Sequence, residues 1–262
     1  MLECVVNVSE GRDGALLDLL ADAAGADLLD LHSDPHHHRS VFTLVGTDAP
    51  RRLARAATRM LDLRGHDGAH PRLGVVDVVP FVPLGDTTMD EAVRARDDFA
   101  RWAADELGVP SFLYGPERPL PEVRRRAWRD LSPDVGASAH PTAGAICCGA
   151  REVLVAYNVW LEGAHVARAR EVAALVRGPH LRALGLQVGD RVQVSMNLTA
   201  PERLGPDSAR DAVAAHATVA GCELVGLVPE AVLLRVPAER WPELDLSEEA
   251  TIEARLTGRH AG

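Results

Sequence analysis

The sequence predicts an α/β (α+β) protein built from two similar lobes, and three observations point there. Apolar segments of period two alternate with segments of helical period in the order β-α-β-β-α-β. That order occurs twice along the chain. The first predicted strand of each half ends in a similar stretch, Asn7-Val8-Ser9-Glu10-Gly11 in one and Asn158-Val159-Trp160-Leu161-Glu162-Gly163 in the other. The order is the split βαβ arrangement of ferredoxin-like folds. The expectation is therefore two ferredoxin-like βαββαβ subdomains, each a mixed sheet with helices on one face, facing across a ligand cleft.

Residues 3–8 read as a strand and 13–24 as a helix, with Leu16, Leu17, Leu20 and Ala24 on one face. Residues 27–32 and 40–46 are strands joined by the polar loop SDPHHHR. Residues 50–63 are a helix with Leu53, Ala57 and Met60 at helical spacing. The β-branched run 75–82 reads as a buried strand, with Pro80 and Pro83 marking its end. Thr88 and Glu91 form a capping box that opens a helix to residue 107, and 111–114 is a short strand. Residues 117–135, rich in Pro and Arg, read as a connector. The second half gives a strand at 153–161, a helix at 164–176 and a hairpin of 181–188 with 191–200 about Gly189-Asp190. A helix at 206–219, a strand at 222–228 and a short helix at 229–234 complete it. The domain reading is 1–135, an interlobe segment at 136–151, and 152–262.

Length and charge narrow the function. The 262 residues suit one large domain or two small ones, and a formal net charge of −10 argues against a general nucleic-acid or membrane-surface binder. All 28 basic residues are Arg, which excludes a Schiff-base lysine and a phosphate-loop lysine. The four Cys contain no Cys-x-x-Cys pair, so neither disulfides nor a thiolate zinc site is expected. No signal peptide and no membrane-length apolar run is read, and the expected location is the cytoplasm.

The stretch GHDGAHPRLGVVDVVPFV, residues 65–82, joins a titratable loop to a rigid strand. Such a loop suits acid–base chemistry. It carries His66, Asp67, His70 and Arg72. Asp77 interrupts the apolar run, and a carboxylate there needs a donor, with Arg72 or an imidazole as candidates. The three Asn of the chain, Asn7, Asn158 and Asn197, fall in or at the ends of strands, as end caps or as ligand contacts. His37 with His66 and His70 has the makings of a zinc set, but no carboxylate triad accompanies it and no metal is expected. Residues 134–148, DVGASAHPTAGAICC, form a small-residue loop whose amides are free to approach a flat or anionic ligand.

Taken together, GAHPRLGVVDVVPFVP, ECVVNVSEGRD, LLDLHSDPHHHRSVFTLVG, SAHPTAGAICCGAREVLVAYNVWL and VQVSMNL resemble the glutamate formiminotransferase family over most of the chain. The resemblance implies two subdomains with folate between them, a homodimer, and small-molecule substrates only. It implies transfer of a formimino group from N-formimino-L-glutamate to N5 of tetrahydrofolate, a step of histidine breakdown and one-carbon metabolism. The family's catalytic histidine falls on His70, with Asp77 as an orienting partner. Its folate-binding segment falls on Gly136 to Gly144, including His140, Pro141, Thr142 and Ala143. Asn7, His37, Arg39, Arg72, Asn158 and Asn197 are further candidates for substrate or folate contact. His36-His37-His38-Arg39 stands where many bacterial members read Asp-His-Asn-Arg. The alternatives are a folate enzyme using 5-formyltetrahydrofolate or another formimino-amino acid, and a non-catalytic folate-binding protein.

Overall fold

The computed structural model describes residues 1–68 and 72–258. The chain divides into two compact units, Met1–Glu152 and Val153–Gly262.

In the first unit β1 (Leu2–Val8) leads through α1 (Gly14–Ala24) to β2 (Leu28–Asp34), β3 (Arg39–Val45), α2 (Asp48–Met60) and β4 (Val76–Pro83). Then come α3 (Met89–Leu107), β5 (Ser111–Tyr114), α4 (Leu120–Arg126) and β6 (Ile146–Ala150). The sheet order is β2-β3-β1-β4-β6-β5. The first four strands pair antiparallel, while β6 runs parallel to both β4 and β5, so this sheet is mixed.

Alternation along the strands sorts side chains onto two faces. Cys4, Val6 and Val8 pack with Leu17, Leu20, Leu53, Ala57, Phe99 and Ala103 under the three long helices. On the opposite face Val78, Phe112, Tyr114 and Cys147 pack against Val123 and Ala127 of the α4 region. The neighbours Cys147 and Cys148 thus point to opposite faces, which rules out a bridge between them. Burial pushes the Cys148 thiol up to about 12, so it is inert at neutral pH.

Two elements depart from expectation. The connector 117–135 contains α4, whose one buried residue is Val123, and a helix with a single inward residue shows no period. The stretch 136–151, expected to link the lobes, lies within the first unit and carries β6. Ile-Cys-Cys-Gly-Ala is buried at every position, so it has no polar alternation to mark it as a strand.

The second unit runs β7 (Val155–Leu161), α5 (Val166–Val176), β8 (Leu181–Val188), β9 (Arg191–Leu198), α6 (Pro206–Ala214) and β10 (Val219–Val225). Its order, β10-β7-β9-β8, repeats the β4-β1-β3-β2 order of the first. Here every strand pair is antiparallel, and among the described residues the sheet holds the four strands that the repeat supplies. The capping box at Thr88 and Glu91 and the hairpin about Gly189-Asp190 form as expected. The short helix expected at 229–234 forms as α7 (Glu230–Leu233), and the chain after it adds α8 (Ile252–Gly258) and gives Leu244 and Leu246 to the second core. The Tyr157 hydroxyl donates to the Leu244 carbonyl at 2.8 Å. No helix among the described residues is long and apolar enough to cross a membrane.

Candidate active site

The end of β1 gathers the first unit's titratable groups. The Ser9 hydroxyl donates to the Gly74 carbonyl at 2.8 Å and ties the β1 end to the start of β4. The Glu10 carboxylate accepts the backbone N–H groups of Gly11, Arg12 and Asp13 at 2.7–3.0 Å. Burial alone would raise the Glu10 carboxyl, but these amides hold it below its ordinary value. A β-carbon at Gly11 would lie 2.4 Å from the Asp34 carbonyl, so only glycine lets β1 meet the β2–β3 turn this closely.

That turn presents three histidines. Asp34 accepts the N–H groups of His36 and His37 at 2.7 and 2.9 Å, and His37 Nδ1 donates to its other oxygen at 2.5 Å. Against burial, which raises it, these bonds hold the Asp34 carboxyl far below the usual carboxylate range. The depressed folded value means that Asp34 contributes stability above about pH 4, and that this contribution is lost on acidification through the lowered value. His38 sits at φ 50. Its Nδ1 accepts the Gly11 N–H at 3.2 Å and lies 3.4 Å from Glu10.

The loop between α2 and β4 closes over this turn. The His66 ring stacks on His38 with centroids 4.0 Å apart. The Arg72 guanidinium donates to the His66 ring, 2.7 Å from Nε2. Arg12 pairs with Asp67 at 2.8 Å. Burial and the Arg72 charge lower His66; burial, Arg12 and Arg72 lower His38 against the pull of Glu10. Both imidazoles are therefore held toward their neutral form. Arg39 is half-buried, and burial brings it down to about 10, against the pull of Asp77, so it stays cationic at pH 7.

Asp77 is 1 % exposed on β4. Its expected donors were Arg72 or an imidazole. The donor found is Arg124 of α4, 3.2 Å from one oxygen and 2.5 Å from the other, with the Leu73 N–H at 2.8 Å. Arg72 shares the field of Asp77. This partner was invisible in sequence because α4 was read as a connector.

Gly136, at φ 80, packs against Pro110. Residues 140–144 form a turn closed by His140 N–H to Gly144 O at 2.9 Å and Gly144 N–H to His140 O at 3.0 Å. The N–H groups of Thr142 and Ala143 donate to His140 Nδ1. The turn thus spends these amides internally, with Pro141 at its exposed corner. Gly144, at φ 71, meets Gly74, and a β-carbon there would lie 2.2 Å from Leu73 O. Gly144→Val is expected to lower the thermal midpoint by several degrees. An unchanged midpoint by circular dichroism would contradict that contact.

The three asparagines lie inside strands. Asn7 on β1 faces away from the long helices, and its Nδ2 donates to Val5 O at 3.2 Å. Asn158 on β7 donates to Glu223 at 2.9 Å. Asn197 on β9 is exposed, beside Arg182 of β8. Both lie on the face of the second sheet opposite its core. Buried Thr43 Oγ1 and Gln193 Oε1 have no hydrogen-bond partner among the described residues. No group of three or more His, Cys, Asp or Glu among the described residues is arranged to hold a metal ion. His70, the expected acid–base residue, lies outside the described residues.

The sequence reading missed Glu10, His38 and Arg124. A Ser-Glu-Gly run at a strand end followed by Asp13 was a usable capping signal for Glu10; nothing local pointed to Arg124.

Comparison with known proteins follows the same pattern. Residues 1–151 match the family described as formiminotransferase domain, N-terminal subdomain. The glutamate formimidoyltransferase of Streptococcus pyogenes serotype M1 is 37% identical over 273 residues, covering 90% of this chain and 91% of that protein. That of Thermoplasma acidophilum is 33% identical, covering 97% of this chain and 96% of its own length. The formimidoyltransferase-cyclodeaminase of Sus scrofa is 35% identical over 91% of this chain, which spans 52% of that protein.

Proposed function

The chain belongs to the formiminotransferase family and is a formimidoyltransferase-like transferase, and from that premise we propose that it moves a formimino group from N-formimino-L-glutamate to N5 of tetrahydrofolate. The observation that supports this reading is the stacked His38–His66 pair beneath Arg72, with Arg39 on the adjoining strand. The pair and Arg72 fix the loop to which His70 belongs in sequence, and fixed guanidiniums bind the carboxylates of a glutamate-bearing substrate.

In the reaction the N5 lone pair attacks the formimino carbon, and the carbon–nitrogen π electrons move onto the imino nitrogen. N5 loses its proton from the tetrahedral adduct. The glutamate nitrogen gains a proton, its bond to carbon breaks, and the carbon–nitrogen double bond re-forms. One imidazole serves both transfers in turn, and His70 is assigned that role. Asp77 enters as an orienting group, through Arg124 and the Leu73 amide at the base of the loop. Arg39 and Arg72 hold carboxylates, and His37, fixed by Asp34, lies beside them in sequence. Asn7 is assigned to the folate, because its carboxamide oxygen accepts no donor among the described residues. Gly136 and residues 140–144 back the loop, and Asn158 and Asn197 are the candidate contacts of the second unit. A homodimer in the cytoplasm is part of the same proposal, carried by the family relationship.

The test is a panel of formimino and formyl donors assayed with tetrahydrofolate by absorbance. Turnover with N-formimino-L-glutamate and not with formyl donors is expected. Folate binding without turnover on any formimino donor would overturn the transferase assignment.

A further inference from the structure

We propose that His140 is a positioning residue for the histidine loop, acting through the lone pair of its Nδ1. The proposal rests on the loop's role in the transfer reaction, but its geometry stands apart from that role. Nδ1 accepts the Ala143 N–H at 3.0 Å and the Thr142 N–H at 3.3 Å. A ring nitrogen that accepts two N–H donors must present a lone pair, so the ring proton resides on Nε2.

One of them, the Ala143 N–H, belongs to a peptide unit whose carbonyl holds the loop. In the Thr142–Ala143 unit the N–H points to His140, and across the plane the Thr142 carbonyl accepts the Leu63 N–H at 2.8 Å. In the next unit the Gly144 N–H returns to His140 O, while the Ala143 carbonyl accepts the Val75 N–H at 3.0 Å. The Ala145 N–H donates to Leu73 O at 2.9 Å. Both ends of the loop that carries His66 and Arg72, and in sequence His70, are therefore fastened to one turn. A planar trans peptide orients both its groups together, so the imidazole that aims the 142–143 N–H also aims the carbonyl that holds Leu63.

Without that lone pair the two N–H groups face no acceptor. The 142–143 plane must then rotate, and the Leu63 end of the loop comes free. The Thr142 hydroxyl lies 3.4 Å from Nδ1 on the same turn. The C-terminal end of α3 approaches through Gly108, where a β-carbon would lie 3.8 Å from Cδ2. Asp105 and Glu106 stand on that last turn and Arg64 follows Leu63 on the loop; none of them bonds to the imidazole, and Arg64 is paired with Asp62.

An Asp or Asn side chain places an oxygen where Nδ1 stands and accepts the same two amides. The test is amide hydrogen exchange on the whole chain, free of substrate, as protection factors corrected for intrinsic pH dependence. In His140→Ala the Leu63 amide is expected to lose about tenfold or more of its wild-type protection, with β1 amides unchanged. In His140→Asn, which keeps an acceptor near the Nδ1 position, that loss disappears. Unchanged Leu63 protection in His140→Ala, or an equal loss in His140→Asn, overturns the proposal. Because no turnover is read, failure of the transferase assignment leaves this result intact. With substrate, His140→Asn is expected to recover most of the kcat that His140→Ala loses.

Discussion

His70→Ala is expected to lower the rate of formimino transfer by about a hundredfold or more while leaving the fold intact. The reaction needs one proton removed from the attacking nitrogen and one delivered to the leaving nitrogen. Water does both poorly near neutral pH, and a positioned imidazole contributes about 10²–10⁴-fold to such steps. His70 lies outside the described residues. The two imidazoles described beside it in sequence and on the β2–β3 turn have other work. His66 takes the Arg72 guanidinium, and His38 takes the Gly11 amide. The check is kcat for His70→Ala alongside His66→Ala and His38→Ala, with thermal midpoints for all three. Near-wild-type turnover in His70→Ala at an unchanged midpoint would remove the shuttle from this position.

The second large effect is on stability. Arg124→Ala is expected to cost about 3–5 kcal/mol, because it strips the guanidinium from a carboxylate that has almost no access to water. Asp77 would keep the Leu73 N–H and lose its bidentate partner. Urea unfolding, followed through the transition of the first unit, measures the loss. The double variant Asp77→Leu with Arg124→Leu is expected to recover much of it, since the cost lies in the stranded charge and not in the missing contact. A loss below about 1 kcal/mol in Arg124→Ala would mean that Arg39 and Arg72 neutralise Asp77 without help, and would end the case for α4 as its anchor.

Much of the fold was legible. The repeated β-α-β-β-α-β order, the capping box at Thr88 and Glu91 and the hairpin at Gly189-Asp190 are all short-range patterns, and each formed. β6 and α4 were not legible, for opposite reasons. Ile146–Ala150 is covered on both sides and so shows no alternation, while Leu120–Arg126 buries one side chain and so shows no stripe. The candidate site was legible as a set of residue types: a loop with His66 and Arg72, a turn with three histidines, a carboxylate in a strand. Its wiring was not. The small-residue stretch looked like open amides awaiting a ligand, whereas Thr142 and Ala143 give theirs to His140.

Hydrophobic period is a property of neighbours along the chain, and it sufficed to place the strands and helices of the repeated β-α-β-β-α-β unit. Partnership is a property of neighbours in space. Asp77 meets Arg124 across 47 positions and Ser9 meets Gly74 across 65. A buried charge or amide takes whichever partner packing brings within reach, and no window on the chain spans those separations.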